Sequence, residues 1–154
     1  MKDFLLQGEA SQVGFGRRLG ELTGQRALIF LEGDLGAGKT TLVRGFLEAR
    51  GYAGRVKSPT YTLIEPYELS DGRLYHLDLY RLGHPEELEY LGLREMLEEE
   101  AVLLVEWPQR GAGWLPEPDL RVRLEYVAQG TARRAVVEPC SALGQGVVSR
   151  LSGG

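Results

Sequence analysis

Apolar residues fall into two rhythms along the chain. Ala27-Leu28-Ile29-Phe30-Leu31 and Val102-Leu103-Leu104-Val105 are unbroken apolar runs, the pattern of central strands covered on both faces. Phe4-Leu5-Leu6 predicts a short strand ahead of them. Ser11 is placed as an N-cap, with Phe15, Leu19 and Leu22 following at helical spacing up to Gly24. Leu42, Phe46 and Ala49 stripe a second helix that stops near Gly51. Residues 60–69 are rich in Thr, Tyr and Ile, Asp71-Gly72 is a turn pair, and 73–80 is strand-like, which predicts a hairpin. Pro85 opens an acidic helical stretch to Glu100, with a break expected at Gly92. A Gly/Pro-rich stretch, 108–118, precedes two β-like runs at 120–127 and 134–137. A last helix is expected at 142–151, and residues 151–154 are expected to fray.

Composition narrows the class. The chain has 154 residues, 43% of them apolar and 26% charged, which excludes disorder for most of it and suits one domain over 1–154. No apolar run approaches the roughly 18 residues of a membrane span. Met1-Lys2-Asp3 opens no secretory leader. One cysteine, Cys140, makes no internal pair, as expected of a cytoplasmic protein. A net charge of −4 argues against bulk nucleic-acid binding and leaves only a local contact, near Arg55 and Lys57.

Gly33-Asp34-Leu35-Gly36-Ala37-Gly38-Lys39-Thr40 matches G-x-x-x-x-G-K-[ST] in full. Its glycines let the backbone curl so that successive N–H groups face phosphate oxygens. The helix beginning near Lys39 adds its positive dipole end. Lys39, read as an exposed loop cation, reaches the β and γ phosphates, and the Thr40 hydroxyl ligates Mg²⁺. An apolar strand before the loop and an amphipathic helix after it supply the right context. A dinucleotide fingerprint is excluded, because Thr41 stands where its third glycine belongs. The expected fold is α/β: a P-loop NTPase of three layers, with a mostly parallel sheet, an antiparallel hairpin and helices on both faces.

Such a site also needs a carboxylate at a strand end. Glu106 follows the second apolar run and is the first candidate. Asp78 is the other, with pairing to Arg81 as its plainer reading. Ser58-Pro59-Thr60-Tyr61-Thr62 is a candidate switch that senses the γ-phosphate, or a proline turn into a strand. Trp107 either stacks on a base or packs in the core. His76 and His84 fall on different predicted elements, which argues against a metal pair. No asparagine occurs anywhere, so a guanine-reading Asn-Lys-x-Asp element is absent and ATP is favoured.

Together these segments resemble a known family. Gly33-Asp34-Leu35-Gly36-Ala37-Gly38-Lys39-Thr40-Thr41, Lys57-Ser58-Pro59-Thr60-Tyr61-Thr62-Leu63, His76-Leu77-Asp78-Leu79-Tyr80-Arg81 and Val105-Glu106-Trp107-Pro108 resemble the motifs of the TsaE (YjeE) family. Pro85-Glu86-Glu87-Leu88-Glu89 and Leu91-Gly92-Leu93-Arg94 fit as well. The likeness is close across 26–118 and looser elsewhere. It implies a bacterial P-loop ATPase needed for threonylcarbamoyladenosine at position 37 of tRNAs reading ANN codons. It further implies work with the TsaD and TsaB proteins, of which TsaD performs the transfer and the ATPase resets the complex. tRNA contact would be indirect or local, with no membrane partner.

The resemblance implies nucleotide contacts from Asp34, Leu35, Gly36, Ala37, Gly38, Lys39, Thr40 and Thr41, with Trp107 beside them. Mg²⁺ would sit on Thr40 and Glu106. Hydrolysis would rest on Lys39, Glu106 and Asp78, with Ser58, Pro59, Thr60, Tyr61 and Thr62 as the switch. Contacts also expected from the N-terminal segment and the late strands fall on Ser11 and Arg134. Two other classes stay open: a small-metabolite P-loop kinase, and an adaptor that senses ATP without turnover.

Overall fold

The two unbroken apolar runs lie side by side at the centre of one sheet. The computed structural model describes residues 1–34, 36–127 and 132–151. The chain runs β1 (Lys2–Gln7), α1 (Gly8–Leu22), β2 (Ala27–Glu32), α2 (Lys39–Ala49), β3 (Ile64–Leu69), β4 (Gly72–Asp78), α3 (Glu87–Tyr90), α4 (Leu93–Glu98), β5 (Ala101–Glu106), a 3₁₀ turn (Pro108–Gly111), β6 (Leu120–Tyr126), β7 (Ala132–Pro139) and α5 (Ala142–Leu151). Seven strands are ordered β1-β7-β6-β2-β5-β4-β3. The four central strands β6, β2, β5 and β4 are parallel. The flanks are antiparallel: β7 and β1 on one side, β3 on the other. Edge strand β3 carries Pro66, whose missing N–H suits an unpaired edge.

Alternation along the central strands divides the core into two layers. Ile29, Leu31, Val102 and Leu104 face α1, α2 and α5 and pack on Phe15, Leu42, Phe46 and Val148. Leu28, Phe30, Leu103 and Val105 face the other way, where Leu88, Leu93 and Met96 of the short α3 and α4 cover them. Helices therefore lie on both faces, as expected. Among the described residues no helix is long and apolar enough to cross a membrane.

Helices α1 and α2 pack backbone against backbone. A β-carbon at Gly16 would collide with the Leu42 carbonyl, and one at Gly45 with the Val13 carbonyl. This close approach fixes the α2 N-terminus against α1. Asp119 pins the far end of the sheet: its Oδ2 accepts the Leu28 N–H at 2.8 Å, and its Oδ1 accepts the Ser141 hydroxyl at 2.7 Å. Ser141 in turn accepts the Gly144 N–H at the start of α5.

Several boundaries differ from the sequence reading. Helix α1 begins at Gly8 after Gln7, so Ser11 lies inside its first turn rather than capping it. The hairpin is shorter than expected, because residues 60–62 form a turn. The acidic stretch does break at Gly92, which takes φ 91° between α3 and α4. Leu151 does not fray: it ends α5 with its side chain buried. The expected tail at 152–154 lies outside the described residues.

Candidate functional site

Parallel strands end together, and their carboxyl edge is where open α/β sheets bind ligands. Glu32, Asp78, Glu106 and Tyr126 close β2, β4, β5 and β6 there. The loop after β2 rises from this edge and turns into α2. Gly38 enters the helix at φ 103°, and a β-carbon there would collide with Gln12 Oε1. Gly33 takes φ 147°, with the Leu124 carbonyl 2.6 Å from where a β-carbon would stand. Both positions demand glycine for sterics as well as dihedral.

Lys39 is not the exposed cation that the sequence reading expected. Only 5% of it is accessible. Its Nζ donates to the Gly33 carbonyl at 2.6 Å, lies 4.4 Å from the centre of the Trp107 ring, and stands 3.9 Å from Glu106 Oε1. Burial pulls its pKa down, while Glu106, Asp78 and Asp34 push it back up. Trp107 reaches this position through a left-handed backbone, φ 55°, directly after β5. It packs on Tyr80 at 4.9 Å, and Arg110 covers the Tyr80 ring.

Asp78 and Glu106 are register partners on neighbouring parallel strands. Both are buried. Burial pushes the Asp78 carboxyl above the usual carboxylate range; the Tyr80 amide, donating to Oδ1 at 3.0 Å, draws it down, Glu106 raises it, and His76 and Lys39 lower it. Asp78 makes no ion pair with Arg81, whose guanidinium instead covers Tyr61 at 4.5 Å. The carboxylates, the lysine and the first turn of α2 thus face one space.

Sequence reasoning missed three neighbours. His76 is fully buried, and its Nε2 meets Glu106 Oε2 at 2.5 Å. Arg133 donates from Nε to the Ala37 carbonyl at 3.2 Å, with Tyr126 under its guanidinium at 4.1 Å. Gln12 abuts Gly38. Period-two alternation could have found the first: His76 and Asp78 share one face of β4. The candidate Arg134 is exposed and on the opposite face from Arg133, and Ser11 sits one residue before the Gln12 that meets the loop.

The remaining candidates fall as follows. Thr40 is exposed in the first turn of α2, with Thr41 beside it half-buried. Gly36 and Ala37 lie in the loop, where the Ala37 N–H donates to the Asp34 carbonyl at 3.0 Å. Leu35 lies outside the described residues. Ser58 and Thr60 hydroxyls meet at 2.8 Å, and Tyr61 is 80% exposed. The segment from Ser58 through Pro59 to Thr62 ends at Leu63, which holds φ 70°. Its N–H donates to the Pro59 carbonyl and its carbonyl accepts the Asp78 N–H. The switch candidate is therefore tied by backbone to Asp78. A cleft of about 930 Å³ opens beside Gly33 and Asp34, with Phe30, Trp107, Arg121 and Tyr126 in its walls.

Hydroxyl and carboxylate donors suit a hard cation such as Mg²⁺. Among the described residues no group of three or more His, Cys, Asp or Glu side chains could hold a metal alone. That fits an ion which keeps waters and shares phosphate oxygens.

A G-x-x-x-x-G-K-T loop between a central parallel strand and a helix, with a carboxylate at the adjoining strand end, defines a P-loop protein of the α/β class. The family model described as "Threonylcarbamoyl adenosine biosynthesis protein TsaE" matches residues 6–136, and the chain belongs to that family. A Haemophilus influenzae protein named tRNA threonylcarbamoyladenosine biosynthesis protein TsaE is 42% identical over 149 residues, 94% of this chain and 93% of its own. A Nostoc protein of the same name is 39% identical over 145 residues, 90% of this chain and 86% of its own. The crystal structure of Bacillus subtilis YdiB superposes with a TM-score of 0.83 at 27% identity, covering 99% of this chain and 94% of that one.

Proposed function

We propose that the chain is an ATPase serving the formation of the threonylcarbamoyl group on adenosine 37 of tRNAs that read ANN codons. It would act in the cytoplasm with the TsaD and TsaB proteins. The observation that carries this reading is the meeting of Lys39 Nζ, Glu106 and the Gly33 carbonyl at the N-terminus of α2. A cation, a carboxylate and a helix dipole end converge where a triphosphate needs them. The family's role in tRNA modification supplies the biological setting.

In this reading Lys39 exchanges the Gly33 carbonyl for phosphate oxygens, and the exposed amides of the loop complete the cradle. Thr40 and Glu106 would hold Mg²⁺, which neutralises phosphate charge when bound. Asp78 orients the attacking water from the neighbouring strand. Trp107 excludes water from the lysine. Arg133, rather than Arg134, supplies the late-strand contact, because only Arg133 reaches the loop. ATP is the nucleotide, since the chain offers no asparagine for guanine.

Phosphate release by the full chain tests the reading, measured alone, with TsaD and TsaB, and with small hydroxyl acceptors. Lys39→Ala is expected to abolish turnover, and because Lys39 is buried under Trp107 it also removes packing. Lys39→Met keeps the stem and is expected to lose turnover without that loss. Undiminished hydrolysis in Lys39→Met sinks the assignment. Phosphate transferred to a small acceptor makes the chain a metabolite kinase instead.

A further inference from the structure

The Glu106 carboxylate has two oxygens in different surroundings. Oε2 meets His76 Nε2 at 2.5 Å in the interior, whereas Oε1 looks toward Lys39 Nζ, 3.9 Å away. His76 stands two residues before Asp78 on β4, and Asp78 is the register partner of Glu106. The imidazole therefore reaches Glu106 diagonally, from below the site. Its ring is fully buried, and Nδ1 has no hydrogen-bond partner among the described residues. With a carboxylate as the only acceptor on the ring, the proton belongs on Nε2, and Nδ1 keeps a bare lone pair.

A buried hydrogen bond between an imidazole and a carboxylate is strong and directional. While it stands, Glu106 cannot turn both oxygens toward one ion. Mg²⁺ takes single carboxylate oxygens in a tight octahedron of short bonds. Ca²⁺ takes longer bonds, higher coordination numbers and commonly both oxygens of a carboxylate. We infer that His76 is a positioning residue that holds Glu106 to one free oxygen and thereby sets the site's preference for Mg²⁺ over Ca²⁺. This rests on the proposed magnesium role of Glu106. It goes beyond it in naming what orients the carboxylate and what that orientation selects.

Binding of a fluorescent ATP analogue to the full chain, titrated separately with MgCl₂ and CaCl₂, tests the inference without reference to turnover. Partners that orient a metal ligand are commonly worth roughly 10–100-fold in metal affinity. His76→Leu is expected to raise the Mg²⁺ midpoint by about tenfold while the Ca²⁺ midpoint changes less, so that the preference for Mg²⁺ shrinks. His76→Gln places an amide donor near Glu106 and is expected to restore part of that preference. Glu106→Gln serves as the check on the underlying reading. If it leaves both midpoints unchanged, the carboxylate holds no metal and both readings fall. If it loses Mg²⁺ dependence while His76→Leu keeps the wild-type preference, only the present inference is overturned.

Should His76→Leu not fold, ¹⁵N spectra of the wild-type imidazole decide. An Nε2-protonated ring whose hydrogen bond survives addition of MgCl₂ with the nucleotide supports the inference. An Nδ1-protonated ring, or loss of the Nε2 hydrogen bond on adding metal, overturns it.

Discussion

Asp78 is held where its charge is unwelcome. Burial is the main reason its carboxyl lies above the usual range, with Glu106 adding repulsion. A carboxyl raised in the folded state binds its proton more tightly there than in the unfolded chain. Ionising it weakens the fold as pH climbs from about 4, the unfolded value, through the raised folded one. Below that window the penalty is absent. Asp78→Asn is therefore expected to raise the urea midpoint at pH 7, with the gap closing below pH ~4, while hydrolysis falls. Equal midpoints at pH 7 would show that Asp78 is better compensated than its surroundings indicate. The same scale shows what single residues reveal in sequence. Lys39 and Thr40 are legible because their geometry is set within one continuous loop. His76 is not, because its partner lies on another strand and only the β4–β5 register brings the two together. Arg134 was preferred over Arg133 because the strand was read as starting at 134. It starts at Ala132, and period-two alternation then turns Arg133 to the loop.

Helix α2 can carry the loop only if it stays seated on α1, and the seat is made of glycine. Gly45→Ala places a methyl against the Val13 carbonyl. Overpacking of this kind costs about 1–3 kcal/mol, more than the ~1 kcal/mol that alanine gains over glycine in a helix. Gly14 of α1 faces open space, so Gly14→Ala is expected to stabilise by roughly 0.5–1 kcal/mol. Paired urea titrations should move in opposite directions, and only Gly45→Ala should weaken nucleotide binding. Movement in the same direction would mean that α1 and α2 separate freely. Asp119 shows the limit of reading an element from composition. In sequence it follows a proline-rich stretch and looks like a surface carboxylate. In the fold it joins β2 to the start of α5 through Leu28 and Ser141. Asp119→Ala should cost about 2–3 kcal/mol, the range for hydrogen bonds to a charged group, with nucleotide affinity spared. The helices and the central strands were legible because their apolar periods are long. The hairpin ends and the first turn of α1 were not, because local turn chemistry at Gly8 and Leu63 sets them.

At the scale of the whole molecule, the site is assembled from four strand ends and one segment that they do not hold. The turn at 58–62 has one hydroxyl pair, an 80% exposed Tyr61 and a left-handed Leu63 at its root. Through the Leu63 carbonyl it is bonded to the Asp78 N–H, so ordering the turn and setting Asp78 are mechanically linked. Tyr61 and Arg81 form an exposed stacked pair on the same side, available to a protein surface. A partner shifts such an element only by binding one arrangement better than the other. Within the chain, Arg133 is engaged with the Ala37 carbonyl and the Tyr126 ring rather than committed to a transferring phosphate. A missing transition-state charge can cost ~10³–10⁵ in rate. Weak hydrolysis alone and strong stimulation by the TsaD–TsaB complex are therefore expected. Thr60→Ala removes the hydroxyl pair and Tyr61→Ala removes the exposed ring, and neither touches the phosphate loop. Each should reduce partner-stimulated turnover by tenfold or more, about 1.4 kcal/mol of lost transition-state stabilisation, while nucleotide affinity stays within about twofold, under 0.5 kcal/mol. Titrating the partner complex against each variant separates two causes: a higher half-saturation point means lost docking, and a lower plateau means lost ordering of Asp78. Full-speed hydrolysis by the isolated chain, unchanged by TsaD and TsaB, would make the turn a passive connection and the enzyme self-sufficient.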